Sequence, residues 1–396
     1  MSTKSAPIDR PATSAAPLRI AHVIRDGGGT GPVELTVATK LRDRGHRVTV
    51  FGPPEVHDHA TAAGFDLRIL PWSPGTVRAP EDLMPRMIAA AVPWARSLAP
   101  VLRTGFDLLV SDCTAFGALM GARLGGTTSA AMMPTVYIAG PRPETAATAS
   151  GLRGTWAAAL TGINRARTHL GLDPVGSVTE QLLDVGKLLV LTSRAFELPE
   201  VAPPAIARYV GAQLPRTTGA PAFVPPAGSE PFVLVSLSTS DQGQAGVLDR
   251  LLRALETLPV RALVTVGPAV DPARFDTPAR IRVQQFVPHD QVLPHADLVI
   301  THAGHGTVLA ALGAGVPLVC VPMGRDQPAV AARVTHHGLG TAIEPTATTA
   351  AMATAIRHVL DDPSYSTAAQ RFAKTVEPAG LVVDEIEAMA PSTTTR

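Results

Sequence analysis

The sequence predicts an α/β protein made of two Rossmann-like parallel-sheet domains. Three observations carry that prediction. Short apolar runs without alternation recur in both halves, as at residues 232–237 and 298–300, the pattern of parallel strands buried on both faces. Gly-punctuated turns and helical spacings separate these runs, giving repeated strand–turn–helix units. The 396 residues, 45% apolar, suffice for two domains with full-sized cores.

Composition narrows the function classes. A formal net charge of +1 gives no general attraction to nucleic acid or to an anionic membrane surface. The longest uncharged run, residues 303–324, is broken by Gly313, Gly315 and Pro317, so it reads as a βαβ core and not as a membrane insertion. Cys113 and Cys320 fall in or beside apolar strands and read as reduced core thiols, which fits a cytoplasmic chain. Residues 1–17, rich in Ser, Ala, Thr and Pro with no apolar stretch, read as a disordered tail and not a signal peptide.

The N-terminal domain is expected over residues 18–212. Its first strand, residues 18–24, runs into Arg25-Asp26-Gly27-Gly28-Gly29-Thr30-Gly31-Pro32, then a helix over 33–44 and a strand over 47–51. This start invites a dinucleotide reading, which fails twice. With Gly27 and Gly29 as the first glycines, Pro32 takes the third place, and Gly52-Pro53-Pro54 stands where the ribose acid belongs. Strands follow at 67–70 and 107–111, the latter leading into Asp112. Between them a helix over 80–103 carries Met84, Met87, Ile88, Val92 and Trp94. Met132, Met133, Tyr137 and Trp156 lie in a Pro- and Gly-broken region. Singly these are ordinary core residues. As a group, Met84, Trp94, Met132 and Tyr137 suit an adaptable apolar acceptor pocket, because hydroxyl-reading residues are scarce there. A helix over 163–170 and a strand over 188–192 close this half, and residues 213–230 form the linker.

The C-terminal domain is expected over residues 231–365. Its first strand ends at Ser238-Thr239, whose hydroxyls either cap the helix at 245–257 or meet a phosphate. A strand over 262–266 and another over 281–286 lead to Phe286-Val287-Pro288-His289. The segment from Asp297 to Gly338 then reads strand, turn, helix, strand, turn, helix. Gly304 and Gly306 permit a tight turn after His302, and the loop offers helix N-terminal N–H groups, imidazole and the Thr307 hydroxyl, which suits a diphosphate. One strand further, Asp326 and Gln327 supply a carboxylate and an amide suited to sugar hydroxyls. Both loops leave the same edge of the sheet. A phosphate site beside a hydroxyl-reading site describes a nucleotide-diphosphate sugar. His289, His295, His302, His305, His336 and His337 have no carboxylate at ligand spacing, so no metal is expected. Residues 366–390 read as one or two amphipathic helices.

His302-Ala303-Gly304-His305-Gly306-Thr307, Gly315-Val316-Pro317, Pro322 and Asp326-Gln327 together resemble the donor signature of the UDP-glycosyltransferase superfamily, in its bacterial branch that decorates natural products and lipids. The resemblance implies a GT-B fold, with two domains facing a deep cleft and the last helix crossing back to the first domain. It implies inverting, metal-free transfer of a hexose or deoxyhexose from a UDP- or TDP-sugar to a hydrophobic acceptor, with no cofactor beyond the sugar nucleotide. It places His302 and Gly304, His305, Gly306 and Thr307, with Ser238 and Thr239, on the diphosphate, Phe286 and Val287 at the base, and Asp326 and Gln327 on the sugar. Ala310 stands where many relatives carry a ribose-binding Glu.

Relatives also begin their first loop with a His three residues before a Pro, and that His takes the acceptor proton. Counting back from Pro32, the matching residue is Gly29. His22 lies inside the first strand, about 13 Å short of Asp26. Asp112 and Asp26 leave neighbouring strands and are the candidate general bases, because two close carboxylates raise one pKa. The alternative reading makes Asp112 a helix cap and Asp26 a turn former. Two other functions keep the fold: a sugar-nucleotide epimerase, and an auxiliary protein that binds donor or partner without turnover.

Overall fold

Seven parallel strands form the first sheet in a computed structural model that describes residues 16–25, 29–71, 83–138, 159–215, 217, 222–237, 243–267, 270–378 and 380–390. In chain order come β1 (Arg19–Val23), α1 (Thr30–Asp43), β2 (Arg47–Gly52), α2 (His57–Ala62), β3 (Leu67–Ile69), α3 (Leu83–Gly105), β4 (Leu108–Asp112), α4 (Phe116–Gly125) and β5 (Thr128–Met133). After these come α5, helical through 159–169, then α6 (Val178–Leu183), β6 (Lys187–Val190) and β7 (Ala207–Tyr209). The strand order is β3-β2-β1-β4-β5-β6-β7. β4 is buried at every position, so its apolar run reflects cover on both faces. The run at 188–192 is not the last strand of this half, because the three-residue β7 pairs beyond it.

The second sheet has six parallel strands. β8 (Phe232–Ser236), α7 (Ala245–Glu256), β9 (Arg261–Thr265), β10 (Ile281–Gln284), α8 (His289–Val292), β11 (Leu298–Thr301), α9 (His305–Gly313), β12 (Leu318–Cys320), α10 (Gln327–His336), β13 (Gly340–Ala342), α11 (Thr349–Asp361), α12 (Pro363–Ala373) and α13 (Leu381–Glu387) follow in sequence. Their order is β10-β9-β8-β11-β12-β13. Both sheets therefore reverse direction once, between β1 and β4 and between β8 and β11, and a crevice opens at the carboxyl ends of strands at such a point.

The chain ends by returning to the first sheet. Ala369 and Phe372 of α12 pack in the second domain's core, whereas Val382, Val383 and Ile386 of α13 pack with Leu18, Ile20, Leu41 and Leu189. Arg44 pairs with Asp384 at 3.0 Å and Glu387 at 3.1 Å, and Lys187 meets Glu385. Apolar burial carries this docking, since exposed ion pairs contribute at most about 1 kcal/mol each. No helix among the described residues is long and apolar enough to cross a membrane.

Candidate functional site

The loops expected to hold the donor are assembled at one sheet edge. Ser236, Thr301 and Cys320 are in register at the ends of β8, β11 and β12, so the loops leaving them stand side by side. After β11 the chain turns through Ala303 at φ 64, a left-handed conformation that costs a non-glycine residue of order 1 kcal/mol. Gly304 follows for a steric reason: a Cβ there would lie 2.5 Å from the His302 ring. Gly304 is also the N-cap of α9 and contributes no side-chain cap, which leaves the first N–H groups of the helix for an outside acceptor. Burial pushes the His302 imidazole down to about 4, so the ring is neutral near pH 7.

His305 is corrected in part. Its backbone sits in the first turn of α9, but its Nε2 is buried without a hydrogen-bond partner. Burial, then the charge of Arg333, lowers it to about 3. The ring therefore belongs to the protein interior, and its backbone N–H is the group available to a phosphate. Gly306 has open space where a side chain would be, and Thr307 is partly exposed beside it. Ser238 and Thr239 lie outside the described residues. Phe286 is 70% exposed at the loop before α8, an apolar ring with a free face, while Val287 is partly buried against the second domain's core. His289 meets the Ser236 hydroxyl at 2.9 Å and ties that loop to the end of β8.

The second donor loop bends at Arg325, again at positive φ, 58. Gln327 is 2% exposed, and its Oε1 accepts from the N–H groups of Met323 at 2.7 Å and Gly324 at 3.1 Å. That oxygen shapes the loop. Asp326 reaches across to the first domain, where the Thr135 hydroxyl donates to its Oδ2.

At the first sheet's switch point the structure departs from expectation. Asp112 is fully buried, and Arg25 Nε lies 2.9 Å from its Oδ1. The same oxygen accepts from the Thr114 N–H at 2.7 Å and its hydroxyl at 2.5 Å. Asp26 lies outside the described residues. The acid beside Asp112 is instead Glu34 of α1, whose Oε2 accepts from the Arg25 N–H at 3.4 Å. Burial, reinforced by the Asp112 charge, holds the Glu34 carboxyl well above the usual range against the pull of Arg25. His22 sits in the strand below, fully buried with neither ring nitrogen partnered, and burial lowers it to about 4. Asp112 thus joins β1, β4 and the α4 approach from inside, with a cation and a hydroxyl already on it. A base facing the cleft is not what its surroundings make of it.

The four expected acceptor-pocket residues are core. Trp94 is 0% exposed where α3 meets α4, and Met132 is 0% exposed among Leu18, Ile20 and Val382 on the sheet face that α13 covers. Met84 and Tyr137 are buried in the same cluster as Trp94. Long apolar side chains at helical spacing filled the interior, as that pattern ordinarily does.

Sequence reasoning passed over the charged residues that join the domains. Arg333 of α10 and Glu197, both fully buried, meet at 2.9 Å through Arg333 Nε. Glu197 also accepts from the Tyr137 N–H at 2.7 Å. The available signal was an ionisable residue inside an apolar segment, as in Phe196-Glu197-Leu198 and Val33-Glu34-Leu35, because such residues are buried only with partners. Among the described residues, no three His, Cys, Asp or Glu side chains cluster as metal ligands would.

Residues 249–388 match the family described as Erythromycin biosynthesis protein CIII-like, C-terminal domain. The 4'-demethylrebeccamycin synthase of Lentzea aerocolonigenes is 29% identical over 309 residues, 71% of this chain and 72% of that protein. The NDP-glycosyltransferase YjiC of Bacillus licheniformis is 34% identical over 168 residues, 41% of this chain and 42% of that one. The solved structure of the kitacinnamycin glycotransferase superposes with a TM-score of 0.81 at 25% identity, covering 95% of this chain and 99% of that one. With two doubly wound sheets and a phosphate-ready turn at α9, the chain has the GT-B fold, and it is similar to glycosyltransferases of the bacterial natural-product branch of the UDP-glycosyltransferase superfamily.

Proposed function

We propose that this protein transfers a hexose or deoxyhexose from a UDP- or TDP-sugar to a hydrophobic natural-product or lipid acceptor, with inversion and without a metal ion. The observation that carries the proposal is the uncapped start of α9 beside His302, under a backbone held at positive φ. Preorganised N–H groups there favour the charge that grows on the diphosphate as its bond to the anomeric carbon breaks. The acceptor hydroxyl oxygen attacks that carbon from the opposite face, which inverts it, while its proton passes to solvent and the nucleoside diphosphate leaves. Asp326, one loop away, has the chemistry to accept from sugar hydroxyls and so orient the ring. The printed name of the Bacillus relative supports a nucleoside-diphosphate donor, and that of the Lentzea relative supports a natural-product acceptor.

A donor-binding protein without turnover is the second reading. One observation favours it: the switch-point carboxylate of Asp112 is paired with Arg25 and buried. One experiment separates the two. The protein is incubated with UDP- and TDP-sugars, with and without EDTA, and nucleotide release is followed. Slow hydrolysis that EDTA leaves unchanged is the expected result, and NMR of a transferred product should show the inverted anomer. Binding without release supports the second reading. Activity lost in EDTA and restored by magnesium or manganese overturns the metal-free route.

A further inference from the structure

Two contacts tie the segment after β5 to the second domain, and both end on α10. Thr135 donates to Asp326, the N-cap residue of α10. Tyr137, two residues on, donates its N–H to Glu197, whose other oxygen holds Arg333. Asp326 and Arg333 are seven residues apart, about 10 Å along a helix. Thr135 and Tyr137, two residues apart in the bend after β5, span at most about 7 Å. A two-point grip on one segment is therefore geometrically consistent.

Packing says the same independently. Val136, between the two tied residues, is 0% exposed and belongs to the second domain's apolar cluster with Val330 and Val334 of α10. Phe196, next to Glu197, lies in that cluster too and packs against Phe372 and His337. The segment is first-domain chain seated in second-domain core.

We propose that Glu197 and Arg333 are positioning residues for sugar recognition: they clamp the Tyr137 backbone, and the clamped segment holds Thr135 against Asp326. This inference rests on the reading of Asp326 as the sugar-facing carboxylate. With Oδ2 fixed by Thr135, the carboxylate is held in one orientation, and its other oxygen is directed by that bond. The domain interface thereby enters donor selectivity, although neither Glu197 nor Arg333 meets the donor. Neither oxygen of Glu197 is spare, since one serves each domain.

Removing one member alone strands a buried charge and threatens the fold. The decisive variant is therefore Glu197→Met with Arg333→Met, which keeps similar volume and leaves no charge. Thr135→Val and Glu197→Asp, which keeps the charge but is too short to reach both Tyr137 and Arg333, serve as independent, milder variants. Two readouts are compared with the parent. The first is amide hydrogen exchange of residues 135–138 in the ligand-free protein, which should quicken in the paired variant. The second is the ratio of sugar-nucleotide to nucleotide affinity, UDP-glucose against UDP and TDP-glucose against TDP. That ratio should fall roughly five- to twenty-fold in the paired variant and in Thr135→Val, with affinity for UDP or TDP unchanged. Thr135→Ser should restore it. Combining all three changes should lower it no further, because the residues act through one contact.

Unchanged exchange in a folded paired variant overturns the clamp whatever the ligand results. Faster exchange with a parental ratio overturns its role in recognition, and so does an additive triple variant. If the parent itself binds neither nucleotide nor sugar nucleotide, the donor reading fails and the exchange result alone judges the clamp. Should the paired variant not fold, the same two readouts on Thr135→Val and Glu197→Asp decide the matter, with parental values in both overturning the proposal.

Discussion

On the proposed reading His302 meets the diphosphate from a neutral ring, because burial lowers it to about 4. A diphosphate beside it favours the imidazolium and raises that value, so nucleotide binding takes up a proton. Affinity for UDP or TDP should then be level above the bound-state pKa and strengthen as pH falls from there toward about 4. Titrations across pH 8 to 5 with the parent and His302→Gln test this, the variant subtracting the ligand's own ionisation near pH 6. Equal pH profiles would remove His302 from the phosphate. The place of this residue was readable in advance because a turn motif fixes it through local backbone geometry. The role of Asp112 was not. Whether a strand-end carboxylate faces the cleft, a second acid or Arg25 is decided by how α1 lies on β1 and β4, and nothing near Asp112 in the chain states it. His305 and Gln327 show the same limit: the motif located them, but burial turned one ring inward and committed one amide oxygen to its own loop.

Helix α4 illustrates what apolar patterning conveys and what it omits. No element is expected from the sequence over residues 116–125, and the close approach of this helix to α3 depends on Gly117, Gly121 and Gly125, four residues apart on one face. A Cβ at Gly117 would lie 2.7 Å from the Ala91 carbonyl oxygen and 2.8 Å from the Trp94 Cβ, so the helices would have to part. Gly117→Ala should destabilise the protein by about 1–3 kcal/mol, the usual cost of overpacking, and leave UDP or TDP affinity unchanged. Denaturant midpoints with nucleotide titration check both halves, and a midpoint equal to the parent's would show that the pair can spread freely. The long buried strands announced themselves as Val- and Leu-rich runs. β5, Thr-Ser-Ala-Ala-Met-Met, did not, because its small residues lack strand preference and its burial comes from the helices above and below. β7 and β13 have three residues each, Ala-Arg-Tyr and Gly-Thr-Ala, and lack the branched apolar residues that mark the equally short β3 and β12.

Charge buried throughout the protein sets its response to pH. Burial lowers His22 and His302 to about 4 and His305 to about 3, and it lowers His289 and His337 as well. Unfolded, these rings titrate near 6.5, so below that value the unfolded chain binds more protons than the native one. Their contribution is fully present above about pH 6.5 and is lost as pH falls toward 4. Glu34 works in the opposite sense. Its folded pKa is raised well above 4.5, so the native state binds the extra proton, and this contribution is lost as pH rises through that folded value. The histidines therefore give an acid limb, a fall in stability as pH drops below about 6.5, whereas Glu34 gives a fall as pH rises toward its raised folded value, and the buried Cys113 and Cys320 thiols, also raised by burial, extend that alkaline limb. Thermal midpoints measured from pH 5 to 9 read both limbs, and they should fall steeply below about pH 6.5. His22→Leu should flatten the acid limb and, by removing two unpartnered ring nitrogens from the interior, should not lower the midpoint above about pH 6.5. Glu34→Gln should flatten the alkaline limb while leaving the acid limb steep. A parental acid limb in His22→Leu would mean that His22 keeps an ordinary pKa in the folded protein, and a parental alkaline limb in Glu34→Gln would mean that the Arg25 charge, and not burial, governs Glu34.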